Sequence, residues 1–227
     1  MRFLHPIAAH EKFVAKGSYR LYTTGAEASV YAYEHWAIHE LADGGQFIRI
    51  DRAPLKGGVN VLVEAVRSPQ GELERFDARQ WVTELGSAKK EMRLQVMRDA
   101  HQVVISRRIN QEDYETLLLD EDEALFLSPQ GWLFVGDAAL QAARRGELSV
   151  LALGANFFSP TRQRITARYE SQAEIMVGTR AIEARCYALY SNHDDAVKVW
   201  LDPFDIPLKF SQGDEIISAE LFNYAHR

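Results

Sequence analysis

The sequence predicts a mostly antiparallel β protein, and three observations predict it. Residues of one kind recur at every second position through 179–223 (TRAIEARCYALYSNHDDAVKVWLDPFDIPLKFSQGDEIISAELFN), and Ser-Asn-His-Asp-Asp, Asp-Pro-Phe-Asp and Ser-Gln-Gly-Asp break the runs. Side chains alternate faces along a strand, so such runs between turn residues read as a meander. The same alternation returns in the first half around Asp43-Gly44-Gly45 and Ser68-Pro69-Gln70-Gly71, which are turn signals. No long helix is predicted, and within the 227 residues the one segment read as a helix without a strand or arm alternative is short, 137–145.

The elements follow in order. Residues 1–16 read as an arm or short helix, and Gly17 opens a short strand, SYRLYTTG. Residues 28–41 and 46–51 form a hairpin about the Asp-Gly-Gly turn, and 53–58 a loop. Residues 59–67 and 72–82 pair about the Ser-Pro-Gln-Gly turn. The polar stretch 83–90 interrupts the pattern. Residues 91–98 alternate cleanly, with Met92, Leu94 and Val96 against Glu91, Arg93 and Gln95, as a half-buried strand does. Residues 101–109 read as another strand, and the acidic 111–122 as a strand end or a helical turn. A helix is predicted over 137–145, with Asp137 as N-cap, an Ala-rich body, Arg144 and Arg145 in the last turn and Gly146 as the stop. Strands resume at 148–154, 162–170, 172–177, 180–190, 196–202, 206–211 and 215–223. No linker or fixed-period repeat divides the chain, so a single domain over 1–227 is expected, with 128–147 the one place for a subdivision.

Composition narrows the function. The chain is 47% hydrophobic and 26% charged, enough for a core. A formal net charge of −6 gives no long-range attraction to nucleic acid or anionic lipid. Cys186 is the only cysteine, so no intrachain disulfide can form. The start, MRFLHPIAAHEKFVAKG, lacks the apolar core of a signal peptide, and no apolar run nears the roughly 20 residues that span a bilayer, so a cytoplasmic protein is expected.

No chemistry-bearing motif stands out. GxSxG, P-loop, GxGxxG, HExxH and CxxC patterns are all absent. His35 and His39 are four apart, which on a strand places them on one face about 13 Å from each other, too far for one metal. They read as surface or rim histidines. Cys186 shares a strand face with Ile182, Ala184 and Ala188 and reads as a structural cysteine; a reactive thiolate needs a basic neighbour. The Asp120–Glu123 run reads as a solvated acidic turn.

Two patterns suggest a binding site. Arg162, Arg164 and Arg168 share one face of a strand and could hold a carboxylate or phosphate head group, or else pair with Glu170, Glu174 and Glu183 across strands. Aromatic residues are spread over many strands, and Arg49 and Asp51 share a face with Phe47, as pocket or as rim. The candidate ligand-binding set is Tyr33, Trp36, Phe47, Arg49, Asp51, Arg164, Arg168, Tyr187 and Trp200. No catalytic residue, metal ligand or cofactor is expected.

The segment VKVWLDPFDIPLKF, followed by IISAEL, resembles the last hairpins of the lipoprotein-carrier-like half-barrels. These include the periplasmic and outer-membrane lipoprotein carriers, and a cofactor-free violacein-pathway enzyme is similar in fold. A (W/Y)LD…G-P-L-(K/R) hairpin recurs there; the matching residues here are Trp200, Leu201, Asp202, Pro207, Leu208 and Lys209. The stretch ALFLSPQGWLFVGDAALQAARRG is also similar, a strand end before a short helix. The resemblance implies one strongly curved antiparallel sheet, a half-barrel or open barrel, around a short helix or an apolar ligand. Without a signal peptide or lipobox cysteine it does not imply lipoprotein transport. The leading functional expectation is a carrier for an apolar or amphipathic, lipid-like molecule in the concave face. A partner-binding homodimer joined at an open sheet edge comes next, then a cofactor-free enzyme using Tyr33, Glu34, Arg49, Asp51 and Tyr187.

Overall fold

The computed structural model describes residues 1–23, 29–83, 91–99, 102–120, 124–126, 131–152, 161–191, 196–212 and 216–227. After an arm, the first half is a run of strands: β1 (Lys12–Tyr22), β2 (Val30–Glu40), β3 (Gln46–Pro54), β4 (Gly58–Arg67), β5 (Leu73–Thr83), β6 (Glu91–Asp99), β7 (Gln102–Ile109) and β8 (Glu115–Asp120). Then come β9 (Ala124–Phe126), the helix α1 (Trp132–Arg145), β10 (Leu148–Ala152), β11 (Thr161–Val177), β12 (Arg180–Ser191), β13 (Val197–Leu201), β14 (Pro207–Gln212) and β15 (Ile216–His226). All fifteen belong to one sheet, in the order β8 to β1 and then β15 back to β9. Every pairing is antiparallel except β9 with β10, which is parallel.

That order dictates the curvature. The first and last strands of the chain pair with each other mid-sheet, and the meanders run outward from them to opposite edges. The edge strands β8 and β9 are nevertheless consecutive in sequence, with Asp120 and Ala124 only four residues apart. Four residues reach roughly 14 Å at most, so the sheet must curl until its two edges nearly meet. Among the described residues no ladder joins β8 to β9, and the sheet is not closed.

Alternation sorts the two faces. One cross-strand row reads Ile38, Ile48, Ala65, Phe76, Val96 and Ile105, all buried. A neighbouring row reads Trp36, Ile50, Val63, Ala78 and Leu94. These rows face α1, where Phe134 meets Phe76 edge-on at 6.1 Å. The interleaved rows face outward and are polar but for Leu62: Arg49, Glu64, Asp77, Gln95 and Ser106 in one, His35, Asp51, Leu62, Arg79 and Arg93 in the next.

Helix α1 lies between the two halves of the curved sheet. Trp132 packs on Phe210 of β14 at 4.6 Å, while Phe134 packs on β5. A Cβ at Gly136 would collide with the Pro207 ring, and one at Gly131 with the Ile50 side chain. The helix begins five residues before the start expected at Asp137. Its apolar first turn, with Leu133, Phe134 and Val135, is buried against the sheet, and packing of an apolar face outweighs capping preference. Gly131 caps it without a side chain; instead the buried Glu34 carboxylate accepts the Trp132 N–H at 3.0 Å and pairs with Arg52 at 2.5 Å. A carboxylate is well placed at the positive end of a helix. Asp137, inside the helix, pairs with Arg67.

Other expectations also shift. The first strand starts at Lys12, inside the expected arm. The separate strands 162–170 and 172–177 are one, β11, with a bulge between Tyr169 and Ser171. Residues 121–123, 192–195 and 157–158, hence most of the acidic turn, the His193 turn and two aromatics, lie outside the described residues. The Asp202 turn is a compact hub: its carboxylate accepts the Phe204 and Ile206 N–H groups at 2.8 Å each and the Tyr224 hydroxyl at 2.6 Å.

Candidate functional site

The candidate site lies on the outer face, where residues 1–11 cross the sheet. These residues form no strand of their own, so their backbone N–H groups need acceptors. Two carboxylates of the outer rows provide them. Glu64 Oε1 accepts the Leu4 and His5 N–H groups at 3.0 and 2.8 Å, and Asp51 accepts the Arg2 N–H at 2.6 Å. The same carboxylates take side-chain partners: Arg2 Nη2 on Asp51 at 2.5 Å and His5 Nδ1 against Glu64 at 2.6 Å. Charge-assisted hydrogen bonds of this kind are the strong ones.

The centre of this network is Arg49, 1% exposed. Its two terminal nitrogens grip Glu11 in a bidentate pair, Nη1 to Oε2 at 2.6 Å and Nη2 to Oε1 at 2.9 Å. Its Nε stands 3.7 Å from Glu64, and its guanidinium covers the Phe47 ring at 4.1 Å. Glu11 Oε1 also accepts the Ala8 N–H at 2.9 Å. The Arg49 hydrogen bonds hold the Glu11 carboxyl below its ordinary pKa. His39, buried beside them, is held below its ordinary value, first by burial and then by the Arg49 charge. A charged cluster therefore lies buried under a strap of chain.

Beside it, the arm roofs a pocket of about 690 Å³. Met1, Phe3 and Ile7 of the arm, with Phe13, form its apolar side. The floor is β1, β2 and β15, presenting Lys16, Ser18, His35, Ala37, His39, Asn223 and Ala225. Asn223, Ser18 and His35 are consecutive partners across three strands, and Ser18 Oγ lies 2.7 Å from His35 Nδ1. Gly17 is required here, because a Cβ would stand 2.5 Å from the Trp36 ring that lies over it. The pocket size is that of an ordinary small-molecule site. A second, more polar hollow of about 360 Å³ lies between α1 and the Asp202 turn, with Arg67, Asp137, Gln141 and Arg144 in its wall.

The nine residues expected to bind ligand do not gather. Phe47, Arg49 and Asp51 share the outer face as expected, but they anchor the arm rather than line a concave cavity. Tyr33 is also outward and meets Phe222 edge-on. Trp36 lies over Gly17 beside Tyr19 and is the one member of the set that lines the 690 Å³ pocket; among the described residues its buried indole N–H has no partner. Tyr187 packs against Tyr169, and Trp200 carries the Lys209 ammonium over its ring at 5.0 Å. Arg164 and Arg168 project into solvent beside Glu147 and Glu170; Glu170 is two residues along the same strand from Arg168, so neither contact is the cross-strand pairing expected as the alternative. The inner face carries α1, one of the two fillings expected for it.

His35 and His39 do share a face, but His39 is buried, not a rim residue. Cys186 is buried as expected, and burial pushes its thiol pKa up. Among the described residues no group of three His, Cys, Asp or Glu is placed to hold a metal, and no helix is long and apolar enough to cross a membrane. Sequence reasoning missed Glu11, Lys16, Ser18 and Glu64. The available signal for Glu64 was an acid inside the apolar run VNVLVEAV, which a buried strand tolerates only with a partner.

Fold and site together define a class: an open, barrel-like antiparallel sheet with an internal helix and an arm strapped across its outside. The architecture is similar to that of solved structures, among them a beta-barrel-like protein of domain of unknown function DUF1849 from Brucella abortus. The two are 10% identical, superpose with a TM-score of 0.58, and align over 96% of this chain and all of that one. At that identity the likeness shows the fold. No family model matches the chain, and no curated protein matches it.

Proposed function

We propose that this protein is a binding or carrier module for an apolar or amphipathic small molecule, held under the N-terminal arm. The observation that carries this is the 690 Å³ pocket whose roof is apolar arm and whose floor is a polar patch of sheet. Apolar walls supply affinity in proportion to the area they dry, and a few polar groups fix orientation. The arm gives a route in and out, because its attachment is a set of hydrogen bonds and ion pairs rather than a packed core. Met1, Phe3 and Ile7 are each more than two-fifths exposed, so their apolar surface gains from a ligand beneath them. This reading treats the whole chain as one domain and moves the ligand from the concave face to the outer one. A kinship with the lipoprotein-carrier-like half-barrels rests on the Trp200–Lys209 hairpin and adds no site of its own.

The test uses Nile red, an uncharged apolar dye. The reading expects saturable binding at one site per chain, weakened at least tenfold in a Phe3→Asp/Ile7→Asp double variant that folds normally. Absence of saturable binding, or binding indifferent to those two changes, overturns it.

A further inference from the structure

Building on that pocket, we infer that its ligand is a long-chain carboxylate, a monoanion with an apolar tail, whose head group sits between Lys16, Ser18, His35 and Asn223. The chain has 32 acidic side chains, yet the pocket lining contains no Asp or Glu. It does contain a lysine, Lys16, and two imidazoles. In an acidic protein that local reversal of sign marks the polarity of what the pocket admits.

The nearby acids are already occupied. Glu11 is gripped by Arg49, Glu64 accepts two arm N–H groups and faces His5, and Asp51 is taken by Arg2. None of these carboxylates reaches Lys16, whose side chain makes no ion pair or hydrogen bond with any described residue. Its cross-strand neighbours are Ala37 and Ala225. Two short side chains leave the lysine stem free to lean over the pocket while its head stays wet. Lys16 and Ser18 are two apart on one strand, so they stand on the same face about 7 Å from each other. That spacing lets a carboxylate between them take the ammonium on one oxygen and a donor from the Asn223–Ser18–His35 row on the other. The Ser18–His35 hydrogen bond leaves one of the two partners with a proton to donate, whichever tautomer the ring adopts.

The apolar end fits the rest of the molecule. Phe3, Ile7, Phe13 and Met1 line the side under the arm, and Ala37 and Ala225 keep the floor low beneath an extended chain. A phosphate diester head that carries two chains needs more room than a single carboxylate on one chain.

Oleate and oleyl alcohol have the same tail and differ at the head, so they separate the two levels of the argument. Both are used below the critical micelle concentration as competitors of Nile red, against the full-length protein and against Lys16→Met, whose substitution keeps the apolar stem. The inference expects oleate to bind on the order of tenfold tighter than the alcohol, a difference of about 1.4 kcal/mol. It expects Lys16→Met to lose that preference while binding the alcohol as the parent does. Equal affinity for acid and alcohol, or an equal loss of both in Lys16→Met, overturns the head-group assignment and leaves the pocket standing. Failure of both compounds to displace the dye overturns the assignment, and if the dye itself finds no saturable site the pocket reading falls with it.

Discussion

Replacing Glu11 by alanine attacks the arm at its anchor. The Glu11–Arg49 pair is bidentate, with side chains 4% and 2% exposed. Removing one partner of a buried ion pair costs about 3–5 kcal/mol, because the other charge stays in a dry site. Arg49 keeps Glu64 at 3.7 Å and the Phe47 ring at 4.1 Å, which places the loss near the lower bound. The arm limits the loss from above: once peeled away, it exposes Arg49 to water and the penalty ends. About 3 kcal/mol is therefore the expected change, and with a urea slope of about 3 kcal/mol/M the unfolding midpoint falls by about 1 M. Thermolysin should cut the variant at Phe3 or Ile7 while the sheet stays intact. Adding Arg49→Met should restore part of the loss, since an apolar side chain of similar length removes the orphaned guanidinium while Glu64 keeps the Leu4 and His5 N–H groups. A midpoint shift worth less than 1 kcal/mol, together with unchanged arm cleavage, refutes the latch.

Two further outcomes follow from particular groups. Asp202→Ala removes acceptors from the Phe204 and Ile206 N–H groups and from the Tyr224 hydroxyl, at about 1 kcal/mol each, so urea titration should show a loss of about 3 kcal/mol; a loss under 1 would mean that water replaces the carboxylate. Acidification should loosen the arm. His39 is a base whose pKa is lowered by burial and by Arg49, so the detached state takes up a proton first, and docking weakens as pH falls below the ordinary value of 6.5. Glu11, lowered by Arg49, continues the trend below its ordinary 4.5. Limited proteolysis of the arm at pH 7.5 and 5.5 should show faster cleavage at the lower pH, less so in His39→Gln; equal rates at both would refute the coupling.

Strands were legible because their signal is local. A period of two in 91–98 or 196–211 is written in adjacent residues, and a one-residue slip would turn Ile48 and Phe76 to water. The turns at Gly44 and Gly71 were legible for the same reason, as both adopt positive φ, +84° and +87°. The helix was legible in its Ala-rich body and basic last turn, but not in its start. Trp132–Val135 carries no cap and reads as a strand end until Phe76, Ile50 and Phe210 are placed around it.

The site was hidden for a different reason. Arg49 and Asp51 looked like a pocket or a rim, and they became neither once the arm lay on them. Glu11 is 38 residues from Arg49, and Arg2 is 49 from Asp51. Nothing in the local pattern of either segment specifies such a pairing. Composition and alternation, acting through neighbours, determined by themselves that the chain folds as an antiparallel sheet with one short helix. Only the tertiary structure decided which face is covered and by what, because burial of a charged row depends on a distant segment arriving with the matching donors and charges.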